Sequence, residues 1–131
     1  RARLEWALSL QPDAVILELG ANDGLRGLDP RDTEANLSQM IADIQKQVLP
    51  VLLTGMRAPP NLGQQYGTEF KNLFRRLAKK HGLLFYPFFL EGVAAVPALN
   101  QTDGIHPNAA GVREIVKRIL PFVRELIGQV R

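Results

Sequence analysis

Cysteine is absent from the sequence, which excludes disulfides, thiolate zinc sites and a cysteine nucleophile. Histidine is nearly absent: with only His81 and His106, a metal centre built by the protein alone would need several carboxylates, and none is expected. No apolar run approaches the ~18 residues of a membrane-spanning helix, so stable membrane insertion is not expected. Blocks of like charge are missing too. Lys plus Arg number 16 against 13 Asp plus Glu, a net charge of +3, and the cations are scattered along the chain. A pI of 9.6 therefore brings no footprint for nucleic acid. An initiator Met and a signal peptide are also missing, and the opening Arg1-Ala2-Arg3-Leu4-Glu5-Trp6 already reads as helix. The natural start is expected upstream.

What is present suits one folded domain: 131 residues, 46% hydrophobic and 22% charged, with no repeat, low-complexity tract or linker. Leu4, Ala7 and Leu8 form a short helical stripe ended by Gln11-Pro12-Asp13. Ala14 to Leu19 is a nearly continuous apolar run closed by Gly20, the habit of a strand buried on both faces. Thr33 reads as the N-cap of a helix bearing Leu37, Met40, Ile41, Ile44 and Val48, and Pro50 stops that helix. Val51 to Gly55 reads as a second buried strand, followed by a loop from Met56 to about Gly63. Tyr66, Phe70, Leu73, Phe74 and Leu77 mark a long helix ended by Gly82, with His81 expected as a capping cation in its last turn. Leu83 to Tyr86 is a third strand. A last helix starts near Pro107 or Asn108 and shows Val112, Ile115, Val116, Ile119, Leu120 and Val123, with Pro121 expected to kink or split it. Strands alternating with helices predict right-handed crossovers, a parallel sheet and a three-layer α/β/α sandwich.

In such sheets ligands bind at the carboxyl ends of the strands. Three segments should meet there: Gly20 to Gly27, Gly55 to Pro60, and Asp103 to Asn108. Asp103 stands three residues before His106, close enough in a turn to hold the imidazole Nδ1–H and steady the charge that forms when Nε2 takes a proton. Gly104 allows the tight return, and Pro107 keeps the ring ahead of the helix. The plainer alternative is a loop histidine beside a turn-forming aspartate. Asn22, just past the first strand, could donate its amide to an oxyanion, or could simply be a cap or turn residue. Gly20, Gly24 and Gly27 lack the spacing of a phosphate-binding loop, and no bound nucleotide is expected. Asp23 reads as a turn former with a possible part in orienting its loop. Glu18 is out of place in an apolar strand, and Phe88, Phe89 and Leu90 read as core or rim packing.

Taken together, Val15 to Leu28 (V-I-L-E-L-G-A-N-D-G-L-R-G-L) and Asp103 to Asn108 (D-G-I-H-P-N) resemble two conserved blocks of the SGNH, or GDSL-type, hydrolases. The stretch Pro87 to Glu91 is similar to the bacterial acyl-CoA thioesterase, lysophospholipase and arylesterase branch. That resemblance implies a flavodoxin-like fold and a cofactor-free serine hydrolase of small acyl esters and thioesters. It implies His106 as general base, Asp103 as its orienting carboxylate and Asn22 as oxyanion donor. It further implies a mobile cleft segment containing Asp23, Gly24, Leu25 and Arg26, with Met56, Arg57 and Tyr66 in or near a second cleft-lining loop. A periplasmic or secreted location is in keeping with the resemblance, and the compartment stays open.

One part of the family pattern is missing. The nucleophile belongs to an early Gly-Asp-Ser block, yet the only serines are Ser9 and Ser38, and neither follows Gly-Asp. The resemblance implies five strands ordered 2-1-3-4-5, of which residues 1–131 would supply the last three, leaving two βα units of roughly 30 residues each upstream. The chain is therefore expected to be the C-terminal portion of a single domain, inactive alone and dependent on a missing N-terminal segment or a complementing chain. The alternatives are a non-catalytic half-domain that binds an acyl ligand, or one that binds a partner.

Overall fold

A computed structural model describes residues 3–131. In chain order, α1 (Leu4–Ser9) leads into β1 (Val15–Leu17), and the short α2 (Ala21–Leu25) follows. Next, α3 (Pro30–Gln45) crosses to β2 (Val51–Thr54), α4 (Gln64–His81) crosses to β3 (Leu84–Tyr86), and α5 (Ala109–Gly128) comes last. Short 3-10 turns lie at Pro60–Leu62 and Pro97–Leu99. The strands pair in the order β1-β2-β3, all parallel, with Ile16 beside Leu52 and Leu53 beside Phe85. Parallel neighbours require long crossovers, which α3 and α4 supply.

Alternation along the strands sorts the side chains into two layers of core. Leu17, Val51 and Leu53 share one cluster with Ile41 and Ile44 of α3 and Phe70 and Phe74 of α4. Leu52 and Tyr86, on the other face, pack with Ile119 and Leu126 of α5. The result is the expected three-layer α/β/α sandwich. Phe70 and Phe74 are wholly buried, and each such ring contributes roughly 1.5–3 kcal/mol relative to exposure.

Several local expectations change. The first strand is shorter than Ala14 to Leu19, and it is not buried on both faces: Ile16 is 46% exposed. The reason is placement, since α5 lies against β2 and β3. Thr33 does not cap α3. Asp29 does, its carboxylate accepting from the Arg31 N–H at 2.9 Å, with Pro30 in the first turn where a missing N–H costs nothing. Pro121 lies inside α5 without splitting it; buried Ile119 and Leu126 hold the helix on either side. On the same helix Ile115 is buried, while Val112 and Val116 face outward. Two helix ends are as expected, with Asn108 capping α5 and Gly82 ending α4 in the left-handed region at φ +63°.

Candidate active site

Because the strands are parallel, the segments after β1, β2 and β3 all leave the same edge of the sheet. After β3 the chain runs through a long loop whose end is stapled by two asparagines. Asn100, nearly buried, donates its amide to the carbonyls of Val93 and Val96 at 2.7 and 2.9 Å. Asn108 accepts from the Ala110 and Gly111 N–H groups and donates to the Ala98 and Asn100 carbonyls. Between these anchors the backbone turns tightly, with Gly104 at φ +75°, and the Gln101 N–H donates to the His106 carbonyl at 2.7 Å.

That turn brings Asp103 and His106 together. Asp103 Oδ2 lies 2.6 Å from His106 Nδ1, and Oδ1 accepts from the N–H groups of Ile105 and His106, each at 3.0 Å. The His106 backbone N–H, then its imidazole, then the Ile105 N–H hold the Asp103 carboxyl down at about 2. Ionised, that carboxylate can only accept, so Nδ1 carries the proton and the Nε2 lone pair is left to take one. The imidazole is about two-thirds exposed. Asn100 escaped the sequence reading, since nothing local distinguishes it from other loop amides. Asn108, directly ahead of an apolar helix, carried a readable cap signal.

Asn22 stands on α2, after Gly20 turns the chain at φ +102°. Its side chain is exposed at the wall of a cleft of about 430 Å³ between the segment after β1 and α3, which Glu18, Leu19, Asp23, Thr33, Asn36 and Met40 also line. Asp103 and His106 are not part of that wall, and no hydrogen bond joins them to Asn22 among the described residues. Asp23 turns inward, where its carboxylate accepts the Thr33 hydroxyl at 3.0 Å. Gly24 is buried against the Phe70 ring, Leu25 and Arg26 face solvent, and the Tyr66 hydroxyl donates to the Leu28 carbonyl at 2.7 Å. Burial, then the charges of Asp23 and Asp29, push the Tyr66 phenol up from its ordinary value. Glu18 lies just beyond the β1 pairing, and partial burial raises its carboxyl above the usual range.

Beyond β2, Met56 is buried in the core beneath the edge. Arg57 is exposed, with its guanidinium 4.4 Å over the Phe88 ring and 3.7 Å from Glu91. Phe88 is buried, as a packing residue would be. His81 is not the capping cation expected of it. Its Nε2 meets the Ser38 hydroxyl at 2.8 Å, and burial, then the Lys80 charge, lower its pKa, so the neutral ring is favoured.

The sequence profile of the GDSL-like lipase/acylhydrolase family matches residues 1–114. The chain is 37% identical over 127 residues to Esterase TesA of Pseudomonas aeruginosa, a match covering 96% of this chain and 63% of that protein. It is 43% identical over 98 residues to the thioesterase 1/protease 1/lysophospholipase L1 of Escherichia coli, covering 75% of this chain and 47% of that one. A crystal structure of TesA superposes with a TM-score of 0.89 at 37% identity, covering 95% of this chain and 70% of the solved one. The chain thus spans about half to two thirds of the length of the curated relatives it matches.

Proposed function

Because the chain belongs to the GDSL-like lipase/acylhydrolase family, we propose that residues 1–131 are the C-terminal portion of a single SGNH hydrolase domain that cleaves acyl esters and thioesters. A serine outside this chain attacks the acyl carbonyl. His106 Nε2 takes the serine proton, ionised Asp103 steadies the imidazolium, and the Asn22 amide helps bind the oxyanion of the tetrahedral intermediate. Collapse of that intermediate breaks the ester or thioester bond, and the imidazolium returns the proton to the departing alcohol or thiol. Water then attacks the acyl-serine with His106 again as base, releasing the acid and restoring the serine. Exposed Leu25, Arg26 and Arg57, with half-buried Tyr66, are assigned to contact the acyl chain, with buried Gly24 and Met56 behind them. The 2.6 Å contact between Asp103 and His106 carries this reading, and the names of the relatives supply the substrate class.

A fluorophosphonate probe tests it. A polypeptide extended upstream to include a Gly-Asp-Ser block is expected to label at that serine, and the 131-residue chain alone is not. Replacing His106 by Ala in the extended form should lower kcat by roughly four to six orders of magnitude. Serine labelling of the short chain, or near-normal turnover of His106→Ala, would overturn the assignment. The uncovered Ile16 and Leu19 at the edge of β1 favour one alternative, a non-catalytic half-domain that binds a partner there. Failure of the extended polypeptide to label would select it.

A further inference from the structure

The candidate oxyanion donor stands on a helix too short to hold itself. A helix of five residues has almost no stability of its own, and α2 begins at Gly20 without any side-chain cap. Its sequence, Ala-Asn-Asp-Gly-Leu, adds little, since Asn, Asp and Gly are weak helix formers. Contacts from α3 and α4 must therefore hold it. Gly24 sits so close to Phe70 that a Cβ there would lie 2.8 Å from the ring, and Tyr66 ties down the chain just beyond α2 through the Leu28 carbonyl. Nearest to Asn22, the adjacent Asp23 carboxylate meets the hydroxyl of Thr33 in the first turn of α3. Thr33 is only 2% exposed, and its methyl faces Gly20, on the other side of Ala21 and Asn22, 3.6 Å from where a Cβ on that glycine would stand.

We propose that Thr33 is the positioning residue for Asn22: its methyl stands beside Gly20 and its hydroxyl holds Asp23, so Ala21 and Asn22 between them keep a single direction. The inference rests on Asn22 being the oxyanion donor, and it assigns a mechanistic task to a buried side chain that touches no substrate. Thr33 is unusual in α3 for this use, because a threonine inside a helix would otherwise turn its hydroxyl to the preceding backbone carbonyls. Loss of the hydroxyl leaves Asp23 without its partner and gives α2 freedom to rotate. Misplacement of a catalytic group by about 1 Å costs about 100-fold in rate, so the effect belongs in kcat.

The test uses the upstream-extended polypeptide and a p-nitrophenyl ester. Thr33→Val keeps the shape and removes the hydroxyl; kcat is expected to fall about 10- to 100-fold while KM stays within about twofold. Thr33→Ser should return kcat to within about threefold of the parent. Asp23→Ala should lose as much as Thr33→Val, and the double variant no more than either, because all three break one bond. If Thr33→Val does not fold, Asp23→Asn against Asp23→Ala makes the same comparison, since an Asn side-chain oxygen still accepts from Thr33 and should preserve kcat. Unchanged kcat in Thr33→Val, or losses that multiply in the double variant, would overturn the proposal. An Asn22→Ala control separates the two levels. If it loses activity while Thr33→Val does not, only the positioning role falls. If it loses nothing, the oxyanion assignment falls and the positioning role with it.

Discussion

A 2.6 Å contact between a carboxylate and an imidazole has one immediate chemical consequence: the tautomer of His106 is set by Asp103. Asp103→Asn keeps the size of the side chain but lets the amide donate, favouring the wrong tautomer. Steady-state kinetics of the extended polypeptide should show kcat lower by about 10⁴-fold. The Asp103 carboxyl itself should titrate near 2 by carbon-detected NMR, well below an ordinary aspartate. Its contribution to the turn is present above the unfolded value and lost as pH falls through about 2. His81 also has a lowered folded value, for a different reason, burial. Below the ordinary value of about 6.5 the unfolded chain binds more protons at His81, so stability is present above that pH and falls below it. His81→Gln should flatten that slope in denaturation curves taken from pH 7 to 5. Val48 is a different kind of residue problem, a β-branched side chain at φ +59° and 80% exposed. Val48→Asn should stabilise the fold by about 1 kcal/mol in urea titrations, because Asn tolerates the left-handed region.

Elements show where local pattern suffices and where it does not. The three strands and the helices α3, α4 and α5 were legible because apolar runs and helical stripes mark them, and Gly or Pro closes them. The Asp103–His106 turn was legible for a similar reason, as Gly104 and Pro107 constrain three neighbouring residues. By contrast α2 was invisible: Asn22, Asp23 and Gly24 read as a turn, and it is Phe70, Thr33 and Tyr66, from elsewhere in the chain, that seat the helix. Thr33 as a cap failed because Asp23 claimed its hydroxyl, and His81 as a cation failed because burial and the Lys80 charge disfavour its protonated form. Asp29 as the true cap was readable from the Pro30 that follows it. Gly111 carries a consequence for α5, since a Cβ there would strike the Leu99 carbonyl that accepts from the Asn108 N–H. Gly111→Ala should therefore lower Tm, at a cost of about 1–3 kcal/mol, and shift the His106 resonances that report the loop.

At the scale of the molecule, the sheet is buried at its central strand and exposes apolar side chains at β1. Every residue of β2 is buried, whereas Ile16 and Leu19 meet solvent at the β1 edge beside the Asn22 cleft. Such an edge invites pairing. Purified alone, the 131-residue chain is expected to scatter light as an oligomer, and Ile16→Lys should shift it toward monomer; a dilute monomer of the parent chain would count against an unfilled edge. The open edge also divides the candidate site between two regions of unequal cooperativity. Asp103 and His106 hang from β3 and α5, the side farthest from that edge, while Asn22 follows β1 at its border. Fluctuations that unzip the sheet from β1 would release Asn22, the proposed amide donor, while His106 and Asp103, the proposed base and its carboxylate, stay assembled. Native-state hydrogen exchange would then resolve two foldons: an early-opening one around β1 and α2, and a late one that keeps the proton-transfer pair intact until global unfolding.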